Sequence, residues 1–119
     1  MRPRSIGTAL LAIFVAVISA VHLLQAFTGL SGDPRALIVE HVIVAVLGLL
    51  AAWAIWLGKR WAPWALAVAG VTVAALIVSL GPLLQMGAQE RAGLWTGAGT
   101  VFVMTLAGVW YVRRHVALT

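Results

Sequence analysis

The chain has 119 residues and a formal net charge of +5, with 63% hydrophobic and only 9% charged residues, against about 45–50% and about 25% in soluble globular domains. So few charges cannot cover a water-facing exterior, so a soluble domain is excluded and the apolar excess is expected to face lipid. Cysteine is absent, which excludes disulfides and thiolate metal sites, and no basic stretch is long enough to form a nucleic-acid patch.

Four apolar runs follow one another, at 6–30, 36–57, 62–84 and 92–112. Each reaches the roughly 20 residues that a helix needs to cross a hydrocarbon core of about 30 Å. Backbone groups in lipid must be satisfied within the segment, so helices are expected rather than strands. The first run is too long for the apolar stretch of a cleaved signal, about 7–15 residues, and reads as a retained helix. Gly29 closes it, Ser31-Gly32 turns, and Asp33 is placed to cap the second helix, with Pro34 at its first position.

Gly58-Lys59-Arg60 makes a tight turn into the third run, where Pro63 sits near the start. Pro82 frees the carbonyl of Val78 and is read as the end of that helix rather than a kink. Residues 86–91 form the last connection. Links this short require antiparallel neighbours. The predicted fold is all-α: a polytopic membrane protein, an antiparallel four-transmembrane-helix bundle in one domain over residues 1–119.

Orientation follows from the cations. Arg2, Arg4, Lys59, Arg60, Arg113 and Arg114 fall on one side and Arg35 and Arg91 on the other, which puts both termini and the middle turn in the cytoplasm. Trp53, Trp56, Trp61, Trp64, Trp110 and Tyr111 gather near the same face as an interfacial belt, and Trp95 marks the opposite one. With a single lysine and no asparagine, the composition is that of a GC-rich bacterial genome. A bacterial cytoplasmic (inner) membrane is the expected location.

Lipid gives helices no hydrophobic reason to associate, so small residues must let them approach. Ala12, Ala16 and Ala20 in the first helix, Ala45, Gly48 and Ala52 in the second, Ala65, Ala69, Gly70 and Ala74 in the third, and Gly93 and Gly97 in the fourth form such stripes. They could receive neighbours in the same chain or helices of another subunit.

Polar residues are concentrated in the outer half. Ser19, His22 and Gln25 recur at three-residue spacing on the first helix, and Glu40 and His41 lie at similar depth on the second. Each ionisable group within a span costs about 2.5–3.5 kcal/mol on insertion scales. Glu40 and His41 point about 100° apart, so one is expected to face His22 and the other a different neighbour. These five residues are the candidate ligand- or proton-binding set. A polar pocket, a hydrogen-bonded network locking the helices, and contacts reaching the headgroups all fit.

No catalytic constellation is present, and no metal site or cofactor is predicted. Haem between His22 and His41 is disfavoured because directly packed helices lie about 8–10 Å apart, too close for a macrocycle; only a site between protomers would escape this. The size is similar to that of small multidrug-resistance transporters and fluoride channels. The first helix nevertheless lacks the carboxylate of the former, and six cations against two is a bias foreign to dual-topology families, so the chain is assigned to neither.

The leading expectation is a small accessory or structural subunit whose helices pack against a larger membrane complex, respiratory or photosynthetic for example, or against further copies of the chain. The alternatives are a small transporter or proton-coupled carrier using Glu40, His22 and His41, and a haem- or quinone-binding redox protein.

Overall fold

A computed structural model describes residues 5–28, 35–83, 85–116 and 119. The described residues form four helices: α1 (Ile6–Thr28), α2 (Arg35–Leu57), α3 (Ala62–Leu83) and α4 (Ala88–His115). All four are long and apolar enough to cross a membrane. The first three, with 22 or 23 residues, rise about 33–35 Å, slightly more than a hydrocarbon core.

The fourth helix corrects the sequence reading. It covers 28 residues, Ala88–His115, rather than 92–112, and the connection expected over 86–91 shrinks accordingly, with Glu90 and Arg91 inside the first helical turn. The apolar run bounded the span, but the helix continues into polar residues with good helical propensity. Glu90 stands in the first turn and Arg113, Arg114 and His115 in the last, each complementing the helix dipole. Asp33, Pro34 and Gly29, named as caps and breaks, lie outside the described residues.

The ends of the other helices show why the chain turns where it does. Ser5 caps α1: its Oγ accepts the Thr8 amide at 3.1 Å, satisfying one of the free donors at a helix start. At the far end of α2, Gly58 adopts φ 66°, and the amides of Gly58 and Lys59 donate back to the carbonyls of Ile55 and Ala54 at 3.2 and 2.9 Å. This is a Schellman closure with glycine in the left-handed position.

The end of α3 repeats the motif with an unfavourable residue. The Gln85 and Met86 amides donate to Pro82 and Gly81 at 3.4 and 2.9 Å, and Gln85 itself takes φ 53°. A side chain in that conformation costs about 1 kcal/mol relative to glycine. Gln85→Gly is therefore expected to stabilise the detergent-solubilised protein by about 1 kcal/mol, read from its unfolding midpoint in mixed micelles. An unchanged or lowered midpoint would count against this turn geometry. Pro82 lies in the last turn of α3, next to its final residue Leu83.

Helices adjacent in sequence pack side by side and run antiparallel: α1 on α2, α2 on α3, α3 on α4. Helices α1 and α4 touch only marginally. One end of the molecule, the Lys59 end, carries Ser5, the Gly58–Trp61 turn and His115. The other, the Gln85 end, carries His22, His41 and the α3–α4 turn.

Small residues make the close contacts. A Cβ on Gly48 would run into Ser19, one on Gly70 into Thr105, and one on Gly7 into the Tyr111 hydroxyl. The main core lies towards the Lys59 end, where Ala12, Ala51, Ala54, Ile55, Ala62, Leu66, Ala69 and Val112 bury one another. Of the expected stripes, Ala12, Ala45, Gly48, Ala52, Ala69 and Gly70 are buried, while Ala20 and Gly93 are exposed. Large apolar side chains such as Phe14, Val46, Val68 and Phe102 cover the outside.

Candidate functional site

The five candidate residues separate into two small polar contacts and two further groups, Ser19 and Gln25. His22 of α1, half-buried, meets His41 of α2, buried, with Nδ1 atoms 3.1 Å apart and ring centroids 5.3 Å apart. A hydrogen bond between two Nδ1 atoms needs one N–H and one lone pair. The pair therefore keeps its bond with both rings neutral or with one extra proton, and loses it with two. The spacing is also shorter than the about 4 Å that two metal–nitrogen bonds of about 2.0–2.1 Å span end to end, so these two atoms do not stand as trans axial ligands of one metal.

Glu40 turns away from the histidines towards α3, where the Ser79 hydroxyl donates to its Oε2 at 3.1 Å. The same hydroxyl lies 2.8 Å from the Leu76 carbonyl, sharing its proton between the two acceptors. The 100° angle between consecutive helical residues thus sends His41 to α1 and Glu40 to α3. Among the described residues, no three histidine or acidic side chains converge to hold a metal ion.

Ser19 is buried and donates to the Val15 carbonyl at 2.7 Å, filling the space opposite Gly48. Gln25 lies half-buried one turn beyond His22. Ser79, which the sequence places among the polar residues of the outer half but not in the candidate set, is the hydrogen-bond partner of Glu40. Its position near the end of the third apolar run, at the same depth as Glu40, was the available signal.

Two cavities flank these contacts. A cleft of about 470 Å³ opens between α1 and α4, floored by Val44, Gly48 and Val73 and walled by Phe14, Ile18, Met104 and Ala107. Its two polar side chains, Ser19 and Thr105, are spent on backbone carbonyls of their own helices, the latter at 2.7 Å from Val101. The second, about 770 Å³, lies between α3 and α4 with Arg91 and Trp95 near one end and Phe102 near the other. Neither is lined by His22, Gln25, Glu40 or His41.

A further polar contact joins α1 and α4 at the Lys59 end. Ser5 Oγ stands 2.7 Å from the Thr8 hydroxyl and 3.4 Å from that of Tyr111, and the His115 ring lies against Tyr111 and edge-on to Trp110. This is where the two outer helices are tied.

No protein-family model, curated protein or solved structure matches this chain.

Proposed function

We propose that the chain is a multi-pass membrane protein, an antiparallel bundle that serves as a small accessory subunit and docks an apolar helix of a larger membrane assembly into the cleft between α1 and α4. The observation that carries this reading is the cleft itself, flanked by outer helices that barely touch and lined almost wholly by apolar side chains. Lipid tails fill such a cleft poorly, because association in a bilayer rewards close side-chain packing. A ridge of partner side chains inserted between Phe14 and Met104 would supply it. The state of the polar groups supports the same reading: Ser79 is paired with Glu40 and His22 with His41, a use of intramembrane polarity that fixes helix positions.

In this proposal the Lys59 end faces the cytoplasm of a bacterial inner membrane, in keeping with six cations against two. The test is affinity purification at native expression level, followed by native electrophoresis. Wild type is expected in a species heavier than the monomer. Ala107→Trp, which fills the cleft, is expected to release the monomer, and Val46→Trp, on the exposed face of α2, to leave the heavy species intact. A wild-type protein running wholly as a monomer would overturn the proposal, and so would a heavy species indifferent to Ala107→Trp.

A further inference from the structure

A third cavity, of about 410 Å³, lies at the Lys59 end between the start of α3 and the end of α4, lined by Arg60, Pro63, Trp64, Ala67, Val109 and Arg113. Its composition differs from that of the other two. Two guanidinium-bearing residues from separate elements border one small space, Trp64 stands 75% exposed beside it, and Pro63, Ala67 and Val109 form an apolar wall.

No described acidic side chain stands at this end. The described acidic side chains, Glu40 in the second turn of α2 and Glu90 in the first turn of α4, stand towards the opposite end. Arg60 and Arg113 make no ion pair with any described residue. The Arg60 amide donates to the Thr119 carbonyl at 3.2 Å, a backbone contact that does not engage its side chain. Lys59 and Arg114 add to the field, although Arg114 is drawn over the Trp110 ring at 5.7 Å.

From this geometry we infer that the notch between α3 and α4 binds the phosphate of an anionic phospholipid between Arg60 and Arg113, with the first part of an acyl chain lying along Ala67 and Val109. Guanidinium matches phosphate oxygens in fork geometry, and basic pockets between helices at a membrane face are suited to acidic headgroups. The Trp64 indole sits where an interfacial aromatic meets the glycerol region. An apolar wall continuous with the two cations is the feature that selects a lipid over a free anion. The inference rests on the membrane reading above but not on the docking cleft.

The experiment is native mass spectrometry of full-length protein released from nanodiscs of mixed phosphatidylglycerol and phosphatidylcholine. Wild type is expected to retain phosphatidylglycerol about tenfold over phosphatidylcholine, given two basic contacts at a membrane surface. Arg60→Gln combined with Arg113→Gln is expected to abolish the preference, and Arg60→Lys with Arg113→Lys to restore part of it. Arg91→Gln, at the other end, should leave it unchanged. Equal retention of the two lipids by wild type overturns the assignment, as does a preference that survives the double glutamine variant or disappears in Arg91→Gln. Displacement of the lipid by millimolar inorganic phosphate would show that the notch reads a free anion, and would also overturn it. Stable incorporation of all variants into phosphatidylcholine nanodiscs tests the membrane reading separately; failure there sinks both.

Discussion

Gly70→Val is expected to destabilise the protein by about 3 kcal/mol, measured by reversible unfolding in mixed detergent micelles. A Cβ at position 70 would overlap the Thr105 hydroxyl and methyl, and even the Thr105 Cβ would stand only 2.7 Å away. Rotating the threonine cannot relieve a clash with its own Cβ, so α3 and α4 must separate. Forced overpacking of this kind costs about 1–3 kcal/mol, and the branched valine belongs at the upper end. Gly48 provides the comparison. A Cβ there meets the Ser19 hydroxyl first, with the Ser19 Cβ at 3.0 Å, so a rotamer change at the price of one hydrogen bond relieves part of the strain and Gly48→Ala should be milder. Replacing Thr105 with glycine alongside Gly70→Ala removes every clashing side-chain atom and should recover most of the loss, less about 1 kcal/mol for glycine within a helix. A neutral Gly70→Val would mean that α3 and α4 do not approach this closely.

Ile55→Ala is expected to cost about 2–3 kcal/mol in the same assay. Ile55 is fully buried, and five of its partners in the main core are alanines. Alanine side chains have no rotamers with which to reach into a void, so the cavity would persist nearly intact, and cavity volume governs the penalty for truncation in a core. The transfer part of the usual penalty is missing when the unfolded reference remains in lipid. Lost van der Waals contact is what remains, hence a figure near the lower part of the usual 2–5 kcal/mol range. Leu76, in the smaller cluster with Val44, has longer neighbours in Val73 and Leu80 that can lean inward, and Leu76→Ala should cost less. A smaller loss at Ile55 than at Leu76 would contradict this account.

The four helices were legible because apolar runs of membrane length have few other solutions. Their termini were legible only where a residue type is tied to one backbone conformation. Gly58 marked the α2–α3 turn plainly. Gln85, in the same conformation at the end of α3, gave no sign, since nothing about glutamine favours a left-handed backbone. The extra turns of α4 were missed because hydrophobicity delimits the apolar part of a helix, not the helix. At the candidate site, the 100° rule foretold that Glu40 and His41 would face different neighbours. It could not name Ser79, because the rotation of α3 about its axis is settled by packing against α2 and α4 together. The Arg60–Trp64–Arg113 notch was hidden for a related reason. Each residue already had an explanation as an orienting charge or an interfacial ring, and only the crossing of α3 and α4 brings the three to one space.

Because substantial contact is confined to sequence neighbours, each helix can find its final partner as soon as the next one emerges from the ribosome. The chain grows as a zipper, hairpin upon hairpin, and few contacts among the described residues must wait for distant segments, chiefly the Ser5–Tyr111 tie between the first and last helices and the hydrogen bonds of Thr119 with Gly58 and Arg60. Chains dominated by local contacts assemble quickly, and here the lateral opening is the final surface to be completed. On the proposed function, the α1 wall and α2 floor of that opening stand exposed to a partner helix before α4 arrives, so docking need not await a finished chain.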